Sequence, residues 1–489
     1  MKADTDVLPA YGEDLVWAQL QDTDSEIAHV ETLLNQLVLK RAVLRKKLNQ
    51  YSSPLLRLPP EISSDIFKAC IRREEGTGGQ EIENAEDNSQ GAVPLPILIS
   101  GVCSAWRELA CSMTWMWSSI ALVLDNASPI YPNLLDEYLS RSGHRALNIR
   151  LICGFLDEKN EDVVLEVMSV VARFSERWSH VTFNIPLSCY DALRSVQGRL
   201  PLLTSLSAKL SAGVMYQPLP IFSVAPQLQV ARCVDFLPEF LPLPIGQLTS
   251  LSGYQSNLID FLKILSAASY LMHGSFNIPS SLNLIPPTPD RVLAPHLQSL
   301  EFHGLNDRNF VDSLLDHVTL PDLRQLSFRF REDNYGLYGF PVASFLLFIS
   351  RSTCQLQVLS IIGVIVQDRN VLHCIQAIPS LTELTLDARG ITNQTIRNLN
   401  PNFFPLLPNL QALAIGSTNL VVNFTDLYNT VFARSRPVGA DKIARLQSVK
   451  IRAVDADEDT CEPSLTLLRQ LVAEGIEISV TSGVFEKWL

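Results

Sequence analysis

No apolar run in this chain is long enough to cross a bilayer. The greasiest stretches, Phe340–Ser350 and Leu356–Val366, fall far short of the ~20 residues that a spanning helix needs. Met1-Lys2-Ala3-Asp4 opens without an apolar core or a cleavage signature, so no signal peptide is expected. Excess positive charge is missing too. The 489 residues carry a formal net charge of −12, whereas duplex and membrane-surface binders present a basic stripe. Neither nucleic acid nor membrane is therefore expected as a partner. The nine cysteines are scattered, odd in number and never in a CxxC pair. Reduced thiols buried in apolar patterns, in a cytoplasmic or nuclear protein, explain them better than disulfides or zinc. Asn-x-Ser/Thr matches at Asn126, Asn393 and Asn423 are near chance.

Catalytic signatures are also lacking. HExxH, GxSxG, a Walker loop and GxGxxG do not occur. Gly76-Thr77-Gly78-Gly79 has no following Lys-Ser/Thr and no preceding strand, so it is not read as a phosphate loop. His373 and Cys374 are adjacent, and adjacent side chains diverge on a helix or a strand. His296 and His303 flank a predicted strand and read as loop surface. Asp455-Ala456-Asp457-Glu458-Asp459 lacks the glycine and distal Glu of a calcium loop, so a solvated charge run is expected. No catalytic, cofactor or metal residue is assigned, and no enzyme activity is expected.

What the chain does contain is concentrated first between Leu55 and Ser118. Leu58-Pro59-Pro60-Glu61-Ile62 suits a helix start, where a missing N–H costs nothing and the dipole favours a carboxylate. Ile62, Ile66, Phe67, Cys70 and Ile71 follow at helical spacing. Pro96–Ser100 can form a short apolar helix, and Val102, Trp106, Leu109 and Ala110 mark another. Three helices this short cannot bury all these side chains among themselves, which predicts a partner-binding face. Between them, Arg72–Val93 is acidic and poor in apolar residues, and is expected to be a disordered insertion.

The series Leu58-Pro59-Pro60-Glu61-Ile62, Ile66-Phe67, Val102-Cys103-Ser104-Ala105-Trp106-Arg107-Glu108-Leu109 and the exit Trp115-Met116-Trp117 resembles the F-box. The resemblance covers residues 55–118, with the insertion as a departure. It implies docking on a Skp-type adaptor and, through it, on a cullin ubiquitin ligase. Leu58, Pro59, Pro60, Glu61, Ile62, Ile66, Phe67, Val102 and Trp106 are by this resemblance the candidates for the adaptor face or its support.

Residues 1–25 are mixed and acidic and are expected to be poorly ordered. Over 26–51, Ile27, Val30, Leu34, Leu37, Leu44, Leu48 and Tyr51 form a heptad seam, with Arg41 at one seam position. A homodimer through 26–51 and a single helix folded back on the F-box both fit that pattern.

From Trp117 onward an apolar-x-x-apolar-x-apolar motif recurs. Clear copies begin at Leu297, Leu323, Leu356, Leu381, Leu410 and Leu446, 25 to 36 residues apart. Weaker copies begin at Trp178, Leu203, Leu228, Leu248 and Leu271. The alternation is that of a strand with one buried face, and helical patterns such as Leu258, Phe261, Leu262, Leu265 fall between copies. Pro-rich pieces at 217–220, 237–244 and 285–289 read as loops. The unit resembles a leucine-rich repeat, which implies a stacked solenoid over 119–489. The consensus Asn, three residues after the last core position, is replaced by Leu305, Val364, Arg389 and Thr418, so the solenoid is expected to be irregular.

The expected fold is thus α/β: a coiled-coil helix, a three-helix F-box and an irregular leucine-rich-repeat-like solenoid. This order is similar to that of the large F-box families of mushroom-forming fungi. It implies a substrate-recognition subunit of an SCF-type ubiquitin ligase, whose repeat domain binds an unknown protein target. A non-catalytic repeat scaffold, with the F-box-like helices only capping it, is the alternative.

Overall fold

The chain divides into two units, Met1–Trp117 and Ser118–Leu489. The structure, a computed structural model, describes residues 11–52, 57–75, 94–125, 127–154, 156, 160–213, 215–279, 291–331, 337–403, 406–436, 443–456 and 461–482. Among them no helix is long and apolar enough to cross a membrane.

The first unit is helical. α1 (Tyr11–Ser52) is 42 residues long, about 60 Å of helix. It begins well before Glu26, so residues 11–25 are helical rather than poorly ordered. After Gly12 the segment has no helix breaker, and its Leu, Ala, Gln and Glu residues favour helix. Every described side chain from Leu15 to Leu48 is exposed. The seam therefore does not fold back along the other helices.

α2 (Pro60–Glu75) starts at the proline pair, and the Ser63 N–H closes on the Pro59 carbonyl at 3.1 Å. It runs through Arg72–Glu75, the first part of the expected insertion; 76–93 lie outside the described residues. α3 (Leu95–Val102) and α4 (Ser104–Ser112) are separated by one extended residue, Cys103. Its sulfur accepts the Trp106 N–H at 3.5 Å, so the residue that ends α3 also caps α4. Arg107 of α4 donates to the Ser100 carbonyl near the end of α3 at 2.9 Å.

In the second unit, described strands pair in parallel in sequence order, each with the next, as one 14-stranded sheet. They are β1 (Ser119–Val123), β2 (Leu147–Ile152), β3 (Trp178–Ile185), β4 (Ser205–Leu210), β5 (Val230–Val234), β6 (Ser250–Gln255) and β7 (His273–Asn277). β8 (Ser299–Leu305), β9 (Gln325–Phe330), β10 (Val358–Ile365), β11 (Glu383–Arg389), β12 (Ala412–Gly416), β13 (Ser448–Ala453) and β14 (Glu477–Ser482) continue it. The repeat motif dictates the register. Leu300, Leu326, Leu359, Leu384, Leu413 and Val449 align strand to strand, and Phe302, Phe328, Ile361, Leu386, Ile415 and Ile451 form a second column. Both columns are buried.

The weaker copies also lead into strands. Leu203, Leu228, Leu248 and Leu271 are each buried just ahead of β4 to β7. Helices follow most strands: α5 (Tyr131–Arg141), α6 (Glu161–Arg173), α7 (Leu187–Ala192), α8 (Leu258–Ala267) and α9 (Arg308–His317) come first. α10 (Val342–Ser352), α11 (Asp368–Gln376), α12 (Asn393–Asn398), α13 (Phe424–Ser435) and α14 (Cys461–Ala473) complete the series. They cover the face to which the apolar columns point. Phe261 of α8 meets Phe276 and Phe302 edge-on, with ring centroids 5.0 and 5.2 Å apart. Among the described residues between β4 and β6, the connections on either side of β5 hold only short 3-10 turns, at Pro220–Phe222 and Ile245–Gln247. Six prolines between Pro218 and Pro244 remove the N–H donors that an α-helix needs. The segments still fill the core with Leu219, Ile221, Phe222, Phe236 and Leu241.

The missing consensus Asn has a structural counterpart. Gly304 and Gly363 sit at φ 71° and 89°, one residue before Leu305 and Val364. The ladder shifts register there, which returns Leu305 and Val364 to the core. Neighbouring units are tied instead at the helix starts. Asp368 accepts from the Thr392 N–H and hydroxyl at 3.0 and 2.7 Å. Asn393 accepts the Asn423 N–H at 2.9 Å and donates to the Val421 carbonyl at 2.6 Å.

Arginines tie the helix ends. Arg351 donates to the carbonyls of Leu315 and Val318, where α9 finishes. Arg434, fully buried, donates to Leu399 at 2.7 Å, Leu406 at 2.8 Å and Leu407 at 3.1 Å. The carbonyls of Leu315, Val318 and Leu399 belong to the orphan set at a helix C-terminus, where the dipole also favours a cation, while those of Leu406 and Leu407 lie in the loop after α12. Burial lowers the Arg434 pKa to about 10.

Candidate protein-binding surfaces

Two surfaces stand out, one in each unit. In the first unit, α2 and α3 leave large apolar side chains in water: Ile62 (47% exposed), Ile66 (39%), Ile97 (42%), Leu98 (51%) and Val102 (62%). Ile62 and Ile66 are four apart, hence on one face of α2. Pro59, Pro60 and Glu61 are exposed, and Leu58 is half-buried. Phe67 faces inward, 2% exposed, and meets the half-buried Trp106 edge-on at 5.3 Å. Phe67 and Trp106 thus hold α2 to α4, while Ile62, Ile66 and Val102 remain free to meet something else. Ile97 and Leu98 belong with them, although the F-box pattern alone does not single them out. An apolar run on a short helix with few polar neighbours was the signal that could have found them.

In the second unit the surface is the sheet face opposite the helices. Its middle row follows from the register, and small hydroxyl residues dominate it: Thr182, Ser207, Ser252, Ser275, Ser327 and Ser360. Long side chains rise from this low floor at a few strands. His303 lies within β8 rather than beside it, and its ring approaches the Glu301 carboxylate at 3.4 Å. That contact lowers the Glu301 pKa, against the opposing effect of burial. Lys450 reaches Glu477 at 3.7 Å, and Arg452 pairs with Asp387.

The remaining singled-out groups do not converge. His373 is exposed and Cys374 buried on α11, so the two diverge. His296 is exposed in a turn. Asp455 and Ala456 pair with Val421 and Val422 as a short parallel ladder, and 457–459 lie outside the described residues, as do Asn126 and 76–79. Among the described residues no His, Cys, Asp and Glu group could hold a metal ion. Cys153, Cys189, Cys233 and Cys374 are buried, and burial pushes the thiols of Cys189 and Cys374 up to about 12. A thiol so held is a poor nucleophile.

No protein-family model matches the chain, and no curated protein matches it. Among solved structures it is similar to a protein of Bacteroides fragilis, with 12% identity over 71% of this chain and 77% of that one, at a TM-score of 0.30. It is also similar to TLR13 in a complex with single-stranded RNA, with 13% identity over 63% of this chain and 43% of that one, at a TM-score of 0.31. Likeness at this level carries no argument about function, which rests on the two surfaces themselves.

Proposed function

We infer that this chain is the substrate-recognition subunit of an SCF-type cullin ubiquitin ligase. The helices α2–α4 act as an F-box that docks on a Skp-type adaptor. The strand–helix units form a leucine-rich-repeat-like solenoid that holds a protein target. The chain does no bond chemistry; it supplies proximity and orientation to a ligase whose other parts carry activated ubiquitin. The single observation behind this reading is the exposed apolar set Ile62, Ile66, Ile97, Leu98 and Val102, on helices whose sequence resembles the F-box. Several large apolar side chains exposed on one small helical unit mark a binding face. The exposed seam of α1 supports a second role, as the helix through which two copies associate.

Capture of the chain by a purified Skp-type adaptor tests the reading. Ile62→Asp combined with Val102→Asp changes only exposed positions and should leave helicity unchanged. Losing apolar anchors from an interface costs ~2–4 kcal/mol, roughly a 30- to 1,000-fold loss of affinity. Phe67→Ala is the contrasting variant, because it removes an internal contact and should lower helix content. Undiminished capture of the folded double variant would overturn the assignment of this face.

A further inference from the structure

The helix α1 carries its charge in two blocks. Between residues 15 and 39 it has acids and no Lys or Arg, and between 32 and 48 it has bases and no Asp or Glu. Its own dipole does not account for this, because that effect fades within the first and last turns. Asp24, Glu26 and Glu31 lie more than about three turns from Tyr11, and Lys40 lies as far from Ser52. Nor can the blocks neutralise each other within one helix, where only side chains three or four apart meet. Among the described residues, Asp24, Glu26, Glu31, Lys40, Arg45 and Lys47 form no ion pair. Lys46 does, with Glu108 of α4 at 2.8 Å. It stands at the heptad position farthest from the seam, so that contact leaves the seam open.

The seam itself is longer than residues 26–51. Val16, Leu20 and Thr23 continue it upstream at the same three- and four-residue steps, and Val16 and Leu20 are exposed like the rest. The six unpaired charges all fall on the positions that flank the seam, where one helix of a coiled coil meets the charges of the other. In a parallel pair these positions meet about five residues apart in sequence. Glu26 would then face Glu31 of the second copy and Lys40 would face Arg45, each twice by symmetry.

An antiparallel pair centred on residue 32 instead brings Glu26 beside Lys40 and Gln19 beside Lys47. The same alignment sets Leu20 against Leu44, Ile27 against Leu37 and Val30 against Leu34. It also places Thr23 opposite Arg41, so the polar positions of the seam meet each other. A shift of one heptad either way would put Arg41 against Val16 or Val30 and press its charge onto an apolar side chain. One like-charge contact remains, between the two Glu31 side chains at the centre.

We propose that two copies of this chain associate through α1 as an antiparallel coiled coil, with Thr23 of each opposite Arg41 of the other. This rests on the reading of α1 as the helix through which two copies associate, and it fixes their orientation and register.

Cysteine cross-linking of the full chain tests this, in a Cys70→Ser background because Cys70 is exposed. Leu20→Cys and Leu44→Cys are made separately, then mixed and allowed to exchange before mild oxidation. In the antiparallel coil the two copies of position 20 are about 36 Å apart along the axis, far beyond the ~7 Å that a disulfide can span. The mixture should therefore give a linked dimer. Neither variant alone should exceed the background of the chain without an added cysteine.

Charge reversal gives a second readout, with opposite sign for the two orientations. Glu26→Lys should weaken the dimer at least about threefold, measured by sedimentation, because it sets like charges beside Lys40. Adding Lys40→Glu should restore it. In a parallel pair Glu26→Lys would relieve Glu31 and tighten the dimer. Linking by either variant alone, or tightening by Glu26→Lys, would overturn the proposal and leave association through α1 standing. A dimer whose mixture gives no linked product would overturn the register. A monomeric parent would overturn both the proposal and the reading on which it rests.

Discussion

Asp387 on β11 and Arg452 on β13 form an ion pair that passes over β12, because the residue in register between them is Gly416. A Cβ at 416 would lie 2.7 Å from the Asp387 carboxylate and 3.3 Å from the Arg452 guanidinium. The glycine is thus the gap through which the two side chains meet. Gly416→Val should break the pair. Arg452 is more than half exposed, so the loss should be under ~1 kcal/mol and should shrink with added salt. A double-mutant cycle on Asp387→Asn and Arg452→Gln should show coupling in the parent and none in the Gly416→Val background. Equal coupling in both backgrounds would mean that the pair does not need the gap.

Arg434 should be intolerant even of lysine. Its planar fork reaches three carbonyls at once, and an ammonium on a flexible stem cannot. Arg434→Lys and Arg434→Met should each lower stability by ~2–5 kcal/mol, since buried carbonyls are left without donors. Urea unfolding measures this. A change below ~0.5 kcal/mol for either variant would show that the loop after α12 rearranges without loss.

The exposed seam of α1 makes a prediction about assembly. Leu34→Asp with Leu37→Asp should convert the chain from dimer to monomer, read as a halved mass by light scattering. A monomeric parent would end the coiled-coil idea, and the seam would then need a different partner.

Thiol chemistry offers a test of the core. The ordinary thiol pKa of 9.0 rises to about 12 at Cys189 and Cys374 because burial penalises the thiolate. The folded state therefore holds these protons more tightly than the unfolded state. Their contribution to stability is full below pH 9 and declines as pH approaches 12. Buried Tyr190 and Tyr254 shift the same way. The melting temperature should thus fall across this alkaline range. At pH 8 a thiol reagent should modify exposed Cys70 at once, and Cys153, Cys189, Cys233 and Cys374 only on unfolding. Rapid labelling of those four in the native protein would contradict the packing described.

Much of this arrangement is legible in the sequence because its causes are local. Leu300-x-Phe302 and Leu326-x-Phe328 announce a strand with one buried face, and the parallel register follows once the copies stack. Asn257 and Asp307 each cap the helix that follows by accepting a backbone N–H of its first turn. The glycine shifts at Gly304 and Gly363 are harder to see. Their positive φ matters only when the neighbouring strand fixes the register, and nothing in Gly-Leu or Gly-Val signals that the next residue returns to the core. Arg434 is invisible for a similar reason. A lone arginine near a helix end reads as solvated until three carbonyls from 399 to 407 close around it. Asn393 and Asn423, read as chance matches, turn out to link adjacent units. In the first unit the burial of Phe67 could not be separated from the exposure of Ile66, its neighbour in the chain, without knowing where Trp106 lies.

The sheet of the second unit has its strands in chain order, and this bears on how the protein is made. Each strand needs only the one before it as a template, and none must wait for a partner hundreds of residues downstream. The second unit can therefore fold behind the ribosome as it emerges, one strand at a time from β1, with loop-closure costs spread over short intervals. The outer edge of β1 is fixed from the start, and the other edge, which awaits its next strand, moves along with synthesis.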